Sequence, residues 1–231
     1  MVAFEAFDQR GYRTVDARRG YAAWAATYEQ SVEDEMDLAL LDALESVAWP
    51  SVSPAADLAC GTGRTGAWLR ARGVPDVDGV DATPEMLELA RARGAHRELR
   101  EADVAASGLP GGGYGAVVAS LVDEHLADLR PLYREAARLL RPGGRFVLVG
   151  IHPHFVMASG MPTHFDADDG EPVAIVTHVH HLSEQVAAGL AAGLRLVELR
   201  ERIIDDAWVA LKPSWERFRG HPISFAMAWA A

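Results

Sequence analysis

The sequence predicts an α/β fold in which a seven-stranded, mostly parallel sheet ends in an antiparallel hairpin and follows an N-terminal helical lid. Three observations carry this prediction. A short apolar run at 54–56 leads into a glycine-rich turn and then into a helical pattern. Short apolar runs and helical patterns then alternate, which is typical of a parallel sheet covered by helices. Two last strand patterns, at 194–201 and 223–229, predict the hairpin.

The 231 residues are predicted to form one domain with four parts. Residues 1–50 form the helical lid, in which Tyr21, Trp24, Ala25 and Tyr28 recur at helical spacing and a second helix covers 36–47. Residues 51–150 hold the first five strands. Residues 151–181 have no clear helical period and contain Gly and Pro residues, so they are interpreted as an inserted lid. Residues 182–231 supply a helix and the hairpin.

Composition excludes several classes of function. The formal net charge of −11 disfavours a nucleic-acid-binding surface and an anionic membrane as partners. No apolar run approaches the roughly 20 residues of a membrane span, and the first ten residues lack the pattern of a signal peptide. A cytoplasmic location is therefore expected. The single cysteine, Cys60, excludes an intramolecular disulfide and a cysteine-based zinc site.

The chain is organised around the glycine-rich turn at 57–66, which reads DLACGTGRTG. A helix that starts behind such a turn directs free N–H groups and a positive dipole at the ligand, so an anionic group is expected there. Gly61-x-Gly63-x-x-Gly66 matches the dinucleotide fingerprint. Asp57 argues against a pyrophosphate, because its carboxylate would repel one and could instead hold a cation, directly or through water. A ligand with both a carboxylate and an ammonium group, such as the methionine part of S-adenosylmethionine, suits the turn better.

A second strand ends at Asp81, about 20 residues after the turn, where an acid that binds the ribose hydroxyls is expected. Thr83-Pro84-Glu85 has the features of a helix start, with Thr as the N-cap and Pro at the first helical position. Met86 follows, in a position to pack on the adenine face.

Three motifs together resemble those of the class I S-adenosylmethionine-dependent methyltransferases, and in particular the small-molecule enzymes like those of quinone biosynthesis. They are the acid-x-x-x-Gly-x-Gly pattern at 57–63, VDATPEML at 80–87 and LLRPGGRF at 139–146. Ala59 stands where many members have another glycine. The resemblance implies a Rossmann-like fold and S-adenosylmethionine as cofactor. It covers roughly residues 18–205.

The resemblance also implies cofactor contacts. Tyr21 and Trp24 of the lid would face the sulfonium, Asp103 would accept a hydrogen bond from the adenine amino group, and the next backbone amide, at Val104, would meet a ring nitrogen. The complete predicted set is Tyr21, Trp24, Asp57, Ala59, Gly61, Gly63, Asp81, Ala82, Met86, Asp103, Val104 and Ser120.

Histidines are the most informative residues outside these motifs, because seven of the nine lie between His125 and His181. The first follows strand four, and His154 follows strand five, so both are expected at the edge of the sheet where substrates bind. A hydroxyl acceptor must lose its proton, and histidine is suited to remove it. His154 and His125 are the candidate bases. A histidine that orients the substrate, or that pairs with Asp123 or Glu124, is the alternative.

The predicted function is methyl transfer to a small aromatic or heterocyclic metabolite, with oxygen favoured over nitrogen or carbon. A metal site built from His152-x-His154, His178-x-His180 and nearby acids such as Asp166 is weighed, but no metal is predicted. A nicotinamide-dependent oxidoreductase and a non-catalytic module that binds the cofactor are the rival functions. No nucleic acid or membrane partner is expected, and the chain is expected to be a monomer or a homodimer.

Overall fold

The N-terminal part of the chain is less helical than the sequence predicts. In the computed structural model, which describes residues 2–32 and 34–231, it contains two strands, two short α-helices and four single turns of 3-10 helix. The strands and α-helices are β1 (Val2–Ala3), β2 (Arg13–Val15), α1 (Ala17–Trp24) and α2 (Leu38–Ala43). The prediction of one helix over 36–47 is wrong at both ends. Asp37 caps the first turn of α2 through the N–H of Leu38, and the backbone is already extended at Leu44.

The glycine-rich turn lies inside a run of parallel strands and covering helices. The elements are β3 (Ala55–Leu58), α3 (Arg64–Ala71), β4 (Val77–Asp81), α4 (Pro84–Arg93), β5 (Glu98–Glu101), β6 (Tyr114–Ser120), α5 (Arg130–Leu139) and β7 (Leu140–Ile151). The predicted helix at 126–140 begins later, at Arg130, and Pro131 occupies its first turn. Strand β7 begins before the predicted fifth strand, because Leu140 already pairs with Tyr114 ahead of a register shift at the glycine pair.

The segment 151–181, predicted as an irregular lid, is regular in structure. It contains α6 (Pro153–Ser159), β8 (His164–Asp166), β9 (Pro172–Ile175) and β10 (His178–Val179). Helix α6 escaped the sequence analysis because it is only seven residues long and ends at Gly160, which has a φ of 56°.

The C-terminal part completes the main sheet. It contains α7 (Leu182–Ala191), β11 (Arg195–Ile203), α8 (Asp206–Leu211) and β12 (Pro222–Ala230). The strand order of the seven-stranded sheet is β11-β12-β7-β6-β3-β4-β5. The five strands β3 to β7 are parallel, whereas β12 pairs antiparallel with both β7 and β11. The predicted fold class and its terminal hairpin are confirmed.

The N-terminal part and the insertion form one covering layer, which we call the cap and define as residues 2–32 with 151–181. Strand β2 pairs in parallel with β9, and β8 pairs antiparallel with β9, so the two segments share a three-stranded sheet. Strand β1 also pairs with β10. The two lids inferred separately from the sequence are therefore one structural unit.

Two apolar cores hold the main sheet between its helices. One contains Leu58, Tyr133, Phe146 and Trp229, and the other contains Leu41, Trp68 and Leu69, all of them buried. No helix within 2–32 and 34–231 has the length and apolarity that crossing a bilayer requires.

Candidate functional site

Four strands of the main sheet end in residues that the sequence assigns to the cofactor. The glycine-rich turn follows β3, Asp81 ends β4, Asp103 and Val104 follow β5, and Ser120 ends β6. Because β3 pairs with both β4 and β6, and β4 with β5, these residues share the carboxyl edge of the sheet. This is the edge at which open α/β sheets bind their ligands.

The turn itself requires unusual backbone conformations. Gly61 and Gly63 have φ angles of 51° and 85°, a region that glycine enters without steric cost. No atom lies within 4 Å of the place where a Cβ on Gly61 would stand, so this part of the turn is open to a ligand. Ala59 also has a positive φ, of 56°, which is strained for a residue with a side chain. The structure therefore shows why a glycine is common at that position.

The sequence suggested that Asp57 holds a cationic ligand at the turn, but its side chain does not reach the open side of the turn. Its side chain is 1% exposed, and its Oδ2 lies 3.0 Å from Nε2 of His96, which is itself fully buried. A methyl group at Gly66 would collide with the same imidazole, and one at Gly79 would stand 2.7 Å from its Cδ2. The third glycine of the fingerprint therefore makes room for His96. Asp57, Gly66, Gly79 and His96 form a packed unit beneath the turn, which we call the support cluster.

Asp81, the predicted ribose-binding acid, is held by two backbone N–H groups. Its Oδ2 accepts a hydrogen bond from the N–H of Gly61 and its Oδ1 one from the N–H of Thr83, each at 2.8 Å. These bonds fix the carboxylate between the turn and the start of α4. Burial raises the pKa of Asp81, and the two backbone N–H groups oppose that effect.

The predicted adenine contacts surround the ends of β4 and β5. Met86 is buried on the first turn of α4, and Ala82 is exposed just before that helix. Asp103 is exposed, and its Oδ1 accepts the N–H of Ala105 at 2.7 Å, so the loop after β5 is held by its own carboxylate. Val104 is buried in the core next to it.

The cap and the segment that joins it to α2 lie over the turn and are tied to it by charged groups. Thr62 of the turn donates a hydrogen bond to Glu29, which also pairs with Arg93 at 2.9 Å. Arg64, the first residue of α3, pairs with Asp34 at 2.6 Å and with Asp37 at 3.1 Å. The cap is thus closed onto the carboxyl edge of the sheet in this conformation.

Two connected spaces lie beneath the cap. A narrow one of about 30 Å³ covers the turn, and its walls include Ala59, Gly61 and Ser120. A larger cavity of about 570 Å³ lies between the cap and the ends of β6 and β7. Tyr28 and Leu121 line both spaces. A group bound at the turn therefore borders the large cavity.

Aromatic rings form much of the wall of the large cavity. Trp24 stacks on Tyr21 with centroids 5.8 Å apart and on Phe165 at 5.9 Å, and it meets the edge of Tyr28 at 4.9 Å. We call these four residues the aromatic wall. Tyr28 packs against the buried cluster that contains Trp24 and Phe165, and it also lines both spaces. Burial raises the pKa of both tyrosines, so each keeps its proton at neutral pH.

His125 lies behind the aromatic wall. Its Nδ1 is 2.8 Å from the carbonyl oxygen of Val176, and its Nε2 is 2.9 Å from the hydroxyl of Tyr21. Because a carbonyl can only accept, Nδ1 carries the proton of the neutral ring, and Nε2 accepts the hydrogen bond that Tyr21 donates. His125 is 3% exposed and does not line the cavity itself.

Two buried carboxyl groups stand next to His125. Glu124 lines the large cavity, with Oε1 at 3.6 Å from Nε2 of His125 and at 3.4 Å from the hydroxyl of Thr163. Asp123 accepts a hydrogen bond of 2.6 Å from Gln185. Burial raises the pKa of Asp123 well above its usual range, and the neighbouring carboxyl group of Glu124 raises it further. Of these two carboxyl groups, Asp123 is therefore the one whose ionisation burial disfavours.

The structure places the other candidate base, His154, away from the cavity. It is exposed on α6, and its Nε2 lies 3.1 Å from Nδ1 of His221. Neighbouring His152 caps α6, because its side chain accepts a hydrogen bond from the backbone N–H of His154. The Nε2 of His152 lies 2.9 Å from Oε1 of Glu201. The histidine that does line the large cavity is His164. Within the described part of the chain, no three His, Cys, Asp or Glu side chains come together as a metal site would require.

Sequence reasoning missed three residues that the structure brings to the site: His96, Glu29 and His164. Only long-range packing reveals the first two, because each contacts a residue more than 30 positions away. His164 was included in the histidine-rich stretch, but its sequence neighbours do not distinguish it from the others.

Comparisons with known proteins agree with this geometry. Residues 56–148 match the family model described as a methyltransferase domain. An uncharacterized methyltransferase of Emericella nidulans is 30% identical over 189 residues, which are 70% of this chain and 65% of that protein. The chain thus spans slightly less than two thirds of that curated relative.

Solved structures have the same architecture. An S-adenosylmethionine-dependent methyltransferase from Mesorhizobium loti superposes with a TM-score of 0.67 at 22% identity, over 85% of this chain and 98% of that one. The DhpI–SAH complex superposes with a TM-score of 0.63 at 21% identity, over 90% of this chain and 92% of that one. The fold predicted from the motifs is therefore the fold observed.

Proposed function

We propose that this chain, a class I S-adenosylmethionine-dependent methyltransferase, methylates a small aromatic or heterocyclic metabolite, with oxygen as the favoured acceptor atom. The observation that carries the proposal is the large aromatic-walled cavity that shares Tyr28 and Leu121 with the space above the glycine-rich turn. A volume of about 570 Å³ is in the range of small-molecule sites. Its aromatic faces suit a planar acceptor.

The residues at the edge of the sheet fit the cofactor, which when bound supplies an electrophilic methyl group on a positively charged sulfur. The open turn at Gly61 and the start of α3 suit its carboxylate. Asp81 suits the ribose hydroxyls, and the loop at Asp103 and Val104 suits the adenine. Tyr21 and Trp24 would offer their faces to positive charge, an interaction of roughly 0.5–2 kcal/mol.

The cap contributes alignment and the exclusion of water. Methyl transfer depends mainly on holding the acceptor atom in line with the methyl group, and a closed, rigid cavity provides that alignment. Glu29 of the cap pairs with Arg93 at the end of α4, and Asp34, just after the cap, pairs with Arg64 at the start of α3. Closure of the cap therefore belongs to the proposed catalytic state.

A proton path leads out of the cavity through Tyr21. In this proposal the acceptor hydroxyl gives its proton to the Tyr21 oxygen while the Tyr21 proton passes to Nε2 of His125. The histidine leaves the step as an imidazolium, and its Nδ1–H stays bound to the Val176 carbonyl. His125 thus remains the proposed base, but it acts through the hydroxyl that separates it from the cavity.

The first experiment is calorimetric titration of the protein with S-adenosylhomocysteine, with NAD as a parallel control. Micromolar binding of the first and none of the second supports the proposed cofactor. Binding of NAD alone, or of neither compound, would refute it.

Variants then test the proton path with a phenolic acceptor that the enzyme turns over. We expect His125→Ala and Tyr21→Phe each to lower kcat by about 10²- to 10⁴-fold, the usual contribution of a general base. His154→Ala, on the exposed side of α6, should stay within about twofold of the parent. A larger loss in His154→Ala than in His125→Ala would move the base to α6 and contradict the proton path.

A further inference from the structure

Among the described residues, Glu124 is the buried carboxyl group of the large cavity. It is 4% exposed, whereas Asp166, the other described carboxyl group on the cavity wall, is exposed. Glu124 lines the large cavity together with all four residues of the aromatic wall. The carboxylate therefore lies at the aromatic wall, close to where an acceptor would bind.

The described residues leave this carboxylate poorly compensated. The one basic side chain within 4 Å of it among residues 2–32 and 34–231 is His125, at 3.6 Å, and the same Nε2 already contacts the Tyr21 hydroxyl at 2.9 Å. The contact with Thr163, at 3.4 Å, is long for a hydrogen bond. Oε2 is buried and has no hydrogen-bond partner among the described residues. A buried carboxylate normally has a charged or strongly donating partner.

A cationic ligand would supply that partner. Faces of Trp24, Tyr28 and Phe165 attract positive charge, and they line the same cavity as Glu124. A carboxylate combined with aromatic faces is favourable for an ammonium group. The overall charge of −11 attracts cations over longer distances as well.

From this arrangement we infer that the acceptor carries a basic nitrogen, which binds as a cation between Glu124 and the aromatic wall. The inference rests on the proposed function, because it names the substrate class of that same cavity. The acceptor is then a small aromatic amine-bearing molecule, in which the ammonium group anchors the ring and the methylated atom lies elsewhere on it.

A matched pair of phenols tests the inference by equilibrium binding. Tyramine and tyrosol share the phenol and the two-carbon arm, and differ in an ammonium or a neutral hydroxyl at its end. Calorimetry would measure both, with and without saturating S-adenosylhomocysteine. We expect the parent protein to bind tyramine at least tenfold more tightly than tyrosol. Equal affinities would overturn the inference without using any variant.

Three variants test which carboxyl group binds the ammonium group. Glu124→Gln keeps the side-chain shape and should lower tyramine affinity by about 10- to 100-fold while leaving tyrosol affinity within twofold. Asp123→Asn mimics the protonated acid and should retain the preference for tyramine. Asp166→Asn removes the exposed carboxylate of the same cavity and should also retain it. A preference that survives in Glu124→Gln, or that disappears in Asp166→Asn, would refute the role of Glu124.

Cofactor binding separates this inference from the proposed function. If S-adenosylhomocysteine binds but tyramine is not preferred, the substrate class is wrong and the methyltransferase proposal stands. If Glu124→Gln weakens S-adenosylmethionine but not S-adenosylhomocysteine, the carboxylate serves the sulfonium, and the inference about the acceptor fails. Thermal unfolding of each variant confirms that it is folded before binding is measured.

Discussion

Two different roles can be proposed for Asp57, and a double-mutant cycle distinguishes them. The motif suggests a carboxylate that binds the cationic end of the cofactor, whereas the structure pairs it with His96 in the support cluster. The two groups are 1% and 0% exposed and lie 3.0 Å apart, and Oδ1 of Asp57 has no hydrogen-bond partner. Replacing His96 with Leu would therefore leave a buried carboxylate without its partner. We expect this change to lower the free energy of unfolding by about 3–5 kcal/mol, a large part of the roughly 5–15 kcal/mol of a typical domain.

A second substitution, Asp57→Asn, should compensate for part of the stability lost in His96→Leu. Asp57→Asn alone should change stability by only about 1 kcal/mol, because an amide can still accept the hydrogen bond of His96. Combined with His96→Leu, it should restore about 1–3 kcal/mol, since no buried charge is then left unpaired. Urea unfolding followed by circular dichroism at 25 °C measures all four proteins.

The affinity of Asp57→Asn for S-adenosylhomocysteine is the measurement that could refute this reasoning. Asp57 is not among the residues that line the space above the turn. Asp57→Asn should therefore bind S-adenosylhomocysteine within about threefold of the parent. A loss of more than tenfold with unchanged stability would show that the motif-based role is correct and the role in the support cluster is not.

Two further predictions concern stability. Ala59→Gly should raise the free energy of unfolding by about 0.5–1 kcal/mol in the same urea assay, because a φ of 56° is strained for alanine; a loss of stability would mean that the methyl group packs better than the backbone geometry suggests. Asp123 has a pKa raised by burial and by Glu124, above the value of about 3.9 in the unfolded chain. Between these two pKa values the folded state binds more protons, so the stability of the parent should fall as the pH rises from about 4, by up to about 1.4 kcal/mol per pH unit. Asp123→Asn cannot ionise, and its stability relative to the parent should therefore increase from pH 4.5 to pH 7.5; a constant difference would contradict the raised pKa.

The residues assigned to the cofactor could be located on the carboxyl edge of the sheet because their sequence signals, the spacings within the motifs, are local. Gly61, Gly63 and Asp81 were identified from their spacing along the chain, and the structure brings them to one edge of the sheet. Parallel strands with short connections leave few alternatives for where such residues lie. The terminal hairpin was predictable for a similar reason, since its two strands are close in sequence and pair with each other.

The helix boundaries were less predictable. Helix α2 covers six residues of the twelve that apolar spacing suggested, because a capping aspartate and an extended Leu44 limit it. In the insertion, α6 is too short to show a helical period. In both places local capping decided the boundaries more strongly than the apolar pattern did.

The sequence by itself determined the fold class and which strand ends carry the residues that it assigns to the cofactor. Only the tertiary structure decided which side chains face the cavity. It joined two separate lids through β2 and β9, buried Asp57 against His96, placed Tyr21 between His125 and the cavity, and left His154 on the surface. The physical reason is that strand periodicity and turn chemistry act between neighbours in the chain. Burial, tautomer and charge pairing depend on residues that meet only after the chain has folded.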